Sequence, residues 1–502
     1  MKLFKNFTRI KLPQFKKSHK TKTFEAVYSK KRHEESNREI GVITYVFLGV
    51  FLCLLVYLGI FTQFQGPQII NNNYNKRQSL LESRIVRGQI LSRERNVLAE
   101  TKSDGDGGYY RTYPYRNVFS HIVGYSTHGV LGVESIENFT LLTSDSNIVT
   151  RISNDLSGTK NHGDNVITTL HTDMQLAAYD ALEDRNGCIF AMDVRTGEIL
   201  CCVSKPDFDP NEVIGKWDKL NADKERSPLL NRAFLGLYAP GSTFKIVTAL
   251  EYLKEHNGNV DDYTFDCTGS FEKEGSVINC FHEETHGEVD FKKSFAKSCN
   301  SSFANISYSL DKGDFEKTLR ELLFYEKLPL PLSYSIGECD INSSSSTDDL
   351  LQTGIGQGRT LISPAHMTLI TSAIANDGVL MRPYVVDSIE NFDGGVIRKT
   401  RVKEYKRLID EEYAKDLQEL MREVVVNGTA TKAADTGNYI ISGKTGSAEY
   451  SSNKTQSHAW FTGFSAKADP EIAISVIVEG GGSGGAIAAP IAKRVLDAYY
   501  SE

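Results

Sequence analysis

The apolar residues of this chain are unevenly distributed, and the longest uninterrupted apolar run lies near the N-terminus. It extends from Gly41 to Phe61 and contains no charged residue. A helix of this length would span about 32 Å, which is enough to cross the hydrocarbon core of a bilayer. The run is too long for a cleaved signal peptide, and no small-residue cleavage site follows it. The pattern therefore predicts one transmembrane helix over residues 41–61.

Shorter apolar segments follow the membrane run, after a polar connector. Residues 84–91 and 97–99 alternate in the manner of strands, and short segments broken by glycine and proline continue from there. We predict a small, irregular α+β domain over residues 62–165. It is too short and too interrupted to be a second enzyme.

From residue 166 onward the pattern is that of one larger α+β domain. Strands are predicted near both ends of residues 166–502, with helices between them, which is typical of one antiparallel sheet completed by the two ends of the domain. The predicted strands are 166–170, 188–194, 198–203, 439–444, 459–464 and 472–479, and the predicted helices are 173–182, 364–375, 411–426 and 489–499, with a further helix beginning at Ser242.

The charged residues are also unevenly distributed. Residues 1–40 carry 12 lysines and arginines against 4 glutamates, whereas the whole chain has a net charge of −7. A basic flank favours a cytoplasmic location for its side of a membrane helix. We therefore expect a basic cytoplasmic tail over residues 1–40 and an extracytoplasmic body over residues 62–502. The acidic body gives no indication of a nucleic-acid partner.

The first candidate for chemistry is the Pro-Gly-Ser-Thr-Phe-Lys segment at residues 240–245. The proline and glycine interrupt the chain before a helical pattern, so Ser242 is predicted at a helix N-terminus with Lys245 one turn further along. A desolvated, neutral lysine can accept the serine proton and make Ser242 a nucleophile for carbonyl carbon. The spacing alone is weak evidence, because it recurs in the chain. The other pairs are Ser294/Lys297 and Ser451/Lys454.

Two motifs further along the chain separate the first pair from the others. Ser298-Cys299-Asn300 offers a hydroxyl and an amide two residues apart, which an extended loop would present on one side. Lys444-Thr445-Gly446-Ser447 stands at the end of a predicted strand, where a cation and a hydroxyl could hold a substrate carboxylate. Gly446 has no side chain to obstruct the approach of a substrate backbone.

In this order, the three motifs resemble those of class B penicillin-binding proteins, which are peptidoglycan D,D-transpeptidases. The resemblance covers most of residues 40–502. It implies a penicillin-binding transpeptidase domain over residues 166–502, with an antiparallel sheet flanked by helices, and a dimerisation-type pedestal domain over residues 62–165. Other stretches that resemble the family are 191–193, 196–199, 207–211, 354–358 and 460–463.

The resemblance implies catalytic roles for five residues. Ser242 would be acylated, with Lys245 as its base. Ser298 would relay a proton to the leaving D-alanine, Asn300 would hold the substrate amide, and Lys444 would tune the Ser298 side of the site. The substrate-binding residues would be Thr445, Gly446 and Ser447, of which the two hydroxyl residues would bind the terminal carboxylate.

The resemblance also implies partners. Peptidoglycan stem peptides would be the substrates, and β-lactam antibiotics would bind covalently. The membrane-proximal region has no room for a glycosyltransferase domain, so a membrane glycosyltransferase of the shape, elongation, division and sporulation family would act beside the chain. We expect no cofactor and no catalytic metal. One family turn departs from its usual sequence, because Ser92 replaces an aspartate and Glu94-Arg95 replace Asn-Gly.

Histidines and cysteines suggest competing chemistry. The sequence His282-Glu-Glu-Thr-His286 matches the zinc-protease signature, but that signature requires a helix, and a predicted strand before it and a glycine after it leave barely one turn. Among 8 cysteines, Cys267 and Cys280 bracket a polar turn and could form a disulfide in an exported domain, although reduced, buried cysteines are the simpler expectation. A structural zinc site of Cys267, Cys280, His282 and His286 is a less favoured alternative.

The same active site leaves related reactions open. A D,D-carboxypeptidase or a β-lactamase would result if water, rather than an amine, reached the acyl-enzyme. A non-catalytic cell-wall scaffold is the alternative from another class. We disfavour it because a scaffold has no need of Lys245 or Lys444. A role in elongation, division or sporulation would suit the motifs equally well.

Overall fold

The computed structural model describes residues 19–61, 77–127, 131–433, 437–450 and 456–501. The chain forms two compact units, residues 1–72 and residues 73–502. Residues 1–18 of the predicted basic tail and residues 62–76 of the predicted pedestal lie outside the described residues.

The first unit is built on one long helix, α1 (His19–Ile60). Its section Arg38–Ile60 has a mean hydropathy of 2.5 and is long and apolar enough to cross a membrane. Large apolar side chains along this section, from Ile40 to Ile60, are exposed. Contact between these side chains and water would be unfavourable in proportion to their area, whereas a lipid environment would remove that penalty. The section coincides closely with the apolar run predicted to span the membrane.

The N-terminal part of the second unit consists of short elements. They are α2 (Arg77–Arg84), β1 (Ile85–Val86), β2 (Ile90–Leu91), β3 (Val97–Ser103), β4 (Tyr109–Thr112), α3 (Ser120–Val123), α4 (Gly132–Ile136), α5 (Asn138–Leu141), α6 (Ile148–Ser157), β5 (Asn161–His162) and β6 (Asn165–Thr168).

The remainder of the second unit is richer in long helices and strands. Its elements are α7 (Thr172–Leu182), β7 (Gly187–Asp193), β8 (Ile199–Lys205), α8 (Val213–Ala222), α9 (Arg232–Leu235), α10 (Lys245–Glu255), β9 (Thr264–Cys267), β10 (Ser270–Lys273), β11 (Ser276–Asn279), β12 (Gly287–Asp290), α11 (Phe291–Ala296), α12 (Asn300–Ser309), α13 (Lys312–Glu321), α14 (Thr347–Gly354), α15 (Pro364–Ala375), β13 (Val379–Met381), β14 (Val386–Glu390), β15 (Val396–Lys399), β16 (Glu404–Arg407), α16 (Glu411–Val426), β17 (Ile440–Glu449), β18 (Ser457–Ala466), β19 (Pro470–Val478) and α17 (Ala489–Tyr500).

A mixed sheet organises the N-terminal part, with the strand order β15-β14-β6-β2-β3-β4. Strand β6 runs parallel to β2 and antiparallel to β14. The β14–β15 hairpin therefore returns from residues 386–399 to complete a sheet that begins at residue 90. Strand β6 itself crosses the boundary that the sequence predicts between residues 165 and 166.

A second, fully antiparallel sheet has the order β17-β18-β19-β7-β8. Its strands come from the two ends of the larger domain, as the sequence predicted. Helices α7 and α17 pack against each other and against this sheet, and α15 packs against β7, β18 and β19. All 12 residues of α15 are buried. Burial on every side is possible because nearly all of these residues are apolar or small.

The turn that departs from the family sequence does form. Ser92 N–H donates to Asn96 O at 2.9 Å, and Asn96 N–H donates to Ser92 Oγ at 3.2 Å. Arg95 has a φ of +69°, which places a non-glycine residue in the left-handed region. The serine hydroxyl and the strained arginine together keep a tight turn between β2 and β3.

Buried charges hold the N-terminal part together. Glu134 is fully buried and accepts hydrogen bonds from Arg87 Nε at 2.7 Å and Arg111 Nε at 2.8 Å. Burial alone would raise the pKa of the Glu134 carboxyl, but Arg111 and Arg87 outweigh it and lower the pKa below its usual value. One ionised carboxylate thus joins the segment before β2 to β4 and α4.

We predict that Glu134→Ala destabilises the second unit by about 3–5 kcal/mol, because it leaves two buried arginines without their counter-ion. Chemical denaturation of the full-length protein in detergent would measure this. The matched control is Glu316→Ala, which removes an exposed helical pair with Arg320 and should cost no more than about 0.5 kcal/mol. Equal effects of the two substitutions would contradict the structural role of the buried cluster.

Candidate active site

Ser242 lies immediately before α10, at the helix start that the sequence predicted. Residues Gly241–Phe244 form a 3-10 turn that continues into α10. Gly241 has a φ of +53°, and its N–H donates to Gly356 O at 2.9 Å. Gly356 has a φ of +73°, and a Cβ atom there would lie 2.0 Å from Gly241 O. The half-buried Ser242 is therefore presented by a backbone contact that two glycines make possible.

The amine of Lys245 lies at the centre of the site. The side chain is fully buried, and Nζ donates to Ser298 O at 2.6 Å and to Asn300 Oδ1 at 2.7 Å. The same nitrogen lies 3.3 Å from Ser242 Oγ and 3.3 Å from Ser298 Oγ. One amine therefore contacts both hydroxyls that the sequence singled out.

Ser298 and Asn300 reach this amine from a bent segment. Ser298 has a φ of +57°, Cys299 is the N-cap of α12, and Asn300 is the first residue of that helix. The predicted extended loop is therefore wrong, because the segment turns directly into a helix. Both side chains still converge on Lys245. The Asn300 Nδ2 group also donates to Asn279 O at 3.0 Å, which fixes the amide plane.

A second buried lysine completes the network. Lys444 Nζ donates to Ser298 Oγ at 2.8 Å and to Thr445 O at 3.2 Å. The Ser298 hydroxyl thus lies between two amines. Polar contacts run from Ser242 through Lys245 and Ser298 to Lys444, and this path can carry a proton.

Burial changes the protonation of both lysines. It lowers the pKa of Lys245 from 10.5 to about 8, although Cys299 and Cys280 oppose the shift. Burial, and after it the charge of Lys245, lower the pKa of Lys444 well below its ordinary value. Two ammonium ions beside one hydroxyl would repel each other in a medium of low dielectric constant. A neutral amine near neutral pH is therefore accessible, and a neutral amine can act as a base.

The Lys-Thr-Gly-Ser motif lies inside β17 and not at its end, because the strand continues to Glu449. Strand β17 is an outer strand of the five-stranded sheet. Side chains alternate along a strand, so Thr445 and Ser447 share one face. A Cβ atom at Gly446 would lie 2.9 Å from the carbonyl oxygen of Pro240, so the absence of a side chain lets β17 approach the Ser242 turn.

A cleft of about 430 Å³ opens in front of these residues. Lys245 and Lys444 lie behind its surface. Thr429 also lines the cleft, and its hydroxyl oxygen lies 2.5 Å from that of Thr445. No motif contains Thr429, so no sequence signal indicated it. The predicted residues that line the cleft are Ser242, Ser298, Asn300, Thr445, Gly446 and Ser447.

The second Ser-x-x-Lys pair has a different environment. Ser294 is buried in α11, where its hydroxyl oxygen lies 2.7 Å from that of Ser302, and Lys297 is exposed. The Ser294 hydroxyl is therefore engaged inside the protein and, among the described residues, has no buried lysine amine beside it of the kind that Ser242 has. The third pair, Ser451/Lys454, lies outside the described residues.

The zinc-protease hypothesis is wrong, because the His282–His286 motif does not form an α-helix. Residues Phe281–Glu283 form a single 3-10 turn, in which His282 has a φ of +54°. Glu283, with a φ of +55°, is also in the left-handed region. The two histidines therefore cannot share the helix face that the protease chemistry requires.

The neighbouring cysteines are not bridged. Cys267 Sγ and Cys280 Sγ lie 3.7 Å apart, and both residues are free thiols. His286 Nδ1 lies 3.4 Å from Cys267 Sγ, and Cys299 Sγ lies 3.7 Å from Cys280 Sγ. The predicted zinc set therefore needs a correction: Cys299 joins Cys267, Cys280 and His286, and His282 is not part of the group.

Comparison with known families identifies two regions of the chain. The family described as the penicillin binding protein transpeptidase domain matches residues 187–497, and the penicillin binding protein A dimerisation domain matches residues 87–166. The chain is 32% identical over 460 residues to the peptidoglycan D,D-transpeptidase PbpA of Mycolicibacterium smegmatis, an alignment that covers 85% of this chain and 92% of the relative.

Solved structures show the same fold. Penicillin-binding protein A from M. tuberculosis, solved as a ceftriaxone acyl-enzyme complex, superimposes with a TM-score of 0.76 at 29% identity, covering 83% of this chain and 99% of that chain. The D,D-transpeptidase domain of a peptidoglycan glycosyltransferase from Eggerthella lenta gives a TM-score of 0.73 at 28% identity, with 83% and 99% covered.

We predict that acylation of the protein by a fluorescent penicillin accelerates as Lys245 loses its proton. Only the neutral amine accepts the Ser242 proton, so the second-order rate constant should rise about tenfold per pH unit below the pKa of about 8 and become constant above it. Gel fluorescence after timed labelling would measure the profile. Lys216→Ala, an exposed lysine change outside the site, should leave the profile unaltered, whereas a flat wild-type profile would contradict the assignment.

Proposed function

Because the chain belongs to the penicillin-binding protein transpeptidase family, we propose that it is a membrane-anchored serine D,D-transpeptidase that cross-links peptidoglycan stem peptides. The observation that carries this proposal is the position of the Lys245 amine, 3.3 Å from the hydroxyl oxygens of both Ser242 and Ser298. A single base can take a proton from the nucleophile and return it through the second hydroxyl.

Acylation begins at Ser242. Its Oγ attacks the carbonyl carbon of the penultimate D-alanine of a stem peptide, and neutral Lys245 accepts the hydroxyl proton. The backbone N–H groups of Ser242 and Ser447 form the oxyanion hole for the tetrahedral intermediate. Loss of one such donor typically slows acyl transfer by about 100- to 1000-fold. The position of Ser242 at the start of α10 also favours the negative charge that develops there.

The leaving group departs with a proton from Ser298. As the C–N bond breaks, the Ser298 hydroxyl gives its proton to the nitrogen of the terminal D-alanine and recovers one from Lys245. Lys444, at 2.8 Å, keeps the Ser298 oxygen in place throughout. The products of this half-reaction are free D-alanine, an ester on Ser242 and an unprotonated Lys245, so the protons balance.

The second half-reaction reverses the direction of proton transfer. An amine of a neighbouring stem peptide attacks the Ser242 ester, its proton passes to the serine oxygen through the same network, and a cross-link forms. A β-lactam enters the same pathway, but its leaving nitrogen remains attached to the acyl group through the other carbon atoms of the opened lactam ring. The tethered group blocks the approach of an acceptor, so the acyl-enzyme persists.

Substrate binding is assigned to the outer edge of β17. A stem peptide that adds to this edge as a further strand gains main-chain hydrogen bonds. The hydroxyls of Thr445 and Ser447 lie on one face of the strand, where they can bind the terminal carboxylate. Thr429 supports Thr445 through their 2.5 Å contact, and Asn300 holds the substrate amide while its own amide group is fixed by Asn279.

The membrane anchor gives the reaction its location. We assign the basic N-terminal tail to the cytoplasm and the second unit to the extracytoplasmic side, because lysine and arginine are retained on the cytoplasmic side of a membrane helix. Glycan polymerisation would be the task of a membrane glycosyltransferase of the shape, elongation, division and sporulation family. The family matches assign residues 87–166 to a dimerisation domain and residues 187–497 to a transpeptidase domain. These matches support the proposal that this chain cross-links the stem peptides and that a separate protein polymerises the glycan.

We predict that Ser242→Ala abolishes both labelling by a fluorescent penicillin and the formation of cross-linked dimers from lipid-linked stem peptides. Mass spectrometry of the reaction products would measure cross-linking. Ser294→Ala changes the serine of the other described Ser-x-x-Lys pair and should retain both activities. Labelling that survives Ser242→Ala would refute the nucleophile. Release of D-alanine without cross-links would identify a carboxypeptidase, and rapid turnover of the penicillin would identify a β-lactamase.

We predict that a protease added to intact spheroplasts digests the second unit and leaves an N-terminal epitope tag protected, because the tag and the basic tail remain in the cytoplasm. Immunoblotting of both ends of the chain would show this. A tag that is degraded in intact spheroplasts would reverse the orientation. Lysed spheroplasts, in which both ends become accessible, provide the control.

A further inference from the structure

One wall of the cleft comes from a segment to which the mechanism above assigns no role. Residues 352–357 form the last turn of α14 and the bend after it, and Gln352, Ile355 and Gln357 line the cleft. The overlapping stretch 354–358 is one of those that resemble the transpeptidase family. The segment therefore borders the active site, although no described hydrogen bond joins its side chains to the catalytic network.

Hydrogen bonds hold this segment in place. Gln357 N–H donates to Gln352 O at 2.9 Å, which closes the bend. The Thr248 hydroxyl of α10 donates to Gly354 O at 2.8 Å, and all of these groups belong to residues of high local order in the fold's buried core or its edge. The segment is thus attached to the helix that also carries Lys245, and its side chains are presented to the cleft from a fixed backbone.

Gly241 shows where the segment stands relative to β17. Its N–H donates to Gly356 O at 2.9 Å. The same glycine also approaches β17, because a Cβ atom added to it would lie 3.0 Å from Ser447 O and 3.1 Å from Ala448 Cα. The segment therefore lies near the level of Ser447 and Ala448, whereas Ser298 is bonded to Lys444 further back along the strand.

In the proposed mechanism the donor stem peptide runs along β17 towards this level. Its terminal carboxylate is bound by the hydroxyls of Thr445 and Ser447, and its scissile carbonyl oxygen points to the Ser447 N–H. Earlier residues of the peptide therefore continue past Ala448 towards Glu449, antiparallel to β17, at about 3.3 Å per residue. The acyl acceptor enters elsewhere, because it takes the place of the departing D-alanine beside Ser298.

A peptide bound at the edge of a sheet satisfies only one of its own two edges. Alternate residues direct their N–H and C=O groups towards β17, and the residues between them direct theirs away from it. Main-chain groups that lose water without gaining a partner are unfavourable by about 1–3 kcal/mol each. Asn300 can meet the first of these groups, and the residues further from the scissile bond need a second partner on the opposite wall.

The side chains of Gln352 and Gln357 suit this role. A glutamine amide has two N–H donors and one carbonyl acceptor, which match the groups of a peptide main chain. Both residues are partly exposed and face the cleft. Within the described part of the chain, neither side-chain amide makes a hydrogen bond, so both are available to a ligand.

We propose that the side-chain amides of Gln352 and Gln357 bind the main chain of the donor stem peptide at the residues that precede the penultimate D-alanine. The two glutamines thereby make the enzyme prefer a full-length stem peptide to a short fragment that ends in D-alanyl-D-alanine. This inference rests on the proposed function, because it requires a stem peptide as the acyl donor. It adds no step to the chemistry.

Two donors of different length test the preference, with the full-length protein in detergent. The short donor is N-acetyl-D-alanyl-D-alanine, whose acetyl group offers a partner to Asn300 and nothing beyond it. The long donor is a stem pentapeptide with an acetylated side-chain amine, which cannot serve as acceptor. A fluorescent D-amino acid is the acceptor for both, and chromatography measures its incorporation. We expect kcat/KM to be at least about tenfold higher for the long donor, the effect of two added hydrogen bonds.

Substitution of each glutamine should reduce this preference. Gln352→Leu and Gln357→Leu should each lower the ratio of the two kcat/KM values about 2- to 10-fold, chiefly through a higher KM for the long donor. The ratio cancels any general loss of folded protein. The matched control is Gln89→Leu, the same change at a partly buried glutamine of the N-terminal part, which should keep the wild-type ratio. Equal use of both donors by the wild type, or an unchanged ratio in both variants, would overturn the proposal.

Competition with a fluorescent penicillin measures donor binding without turnover. The long donor should slow labelling of the wild type at about tenfold lower concentration than the short donor, and Gln357→Leu should narrow the difference. Equal potency of the two donors, or no effect of either, would overturn the proposal while labelling itself continued to support the proposed function. Protein that is not labelled and exchanges no D-alanine would instead count against the proposed function, and with it against this inference.

Discussion

The exclusion of water from the Lys245 amine is the constraint on which the active site depends. A buried ammonium ion is unfavourable, and its hydrogen bonds to Ser298 O and Asn300 Oδ1 offset only part of the cost of desolvation. The same desolvation makes the neutral amine available near physiological pH. A lysine in water at this position would remain charged and could not take a proton from Ser242.

Three elements must meet to enclose this amine. Helix α10 supplies the lysine, the N-terminus of α12 supplies its hydrogen-bond acceptors, and the outer strand β17 closes the site with a second lysine. Glycines allow their close approach, since a side chain at Gly356 or Gly446 would meet backbone atoms of residues 240 and 241. The catalytic geometry is therefore a property of the packing between elements, and each motif supplies one side of it.

Much of this architecture was predictable from local sequence signals. The bounds of α15 and α16 agree with the predicted helices 364–375 and 411–426, because a serine N-cap and a proline mark the start of α15, and an acidic first turn marks that of α16. The left-handed Ser298 was not predictable, since serine carries no signal for that conformation. The proximity of Cys299 to Cys280 and His286 was not predicted, because the fold brings these residues together from separate segments of the chain. The pairing of β14 with β6 was not predicted either, because it joins strands that are far apart in the sequence.

That hairpin has a mechanical consequence. Strands β14 and β15 belong to the larger part of the chain by sequence, but they extend the sheet formed by β6, β2, β3 and β4. Backbone hydrogen bonds across β6 and β14 must all break before the two parts can separate. A force applied to the N-terminal part is therefore transmitted into the catalytic part through paired strands, whereas a flexible linker would absorb it.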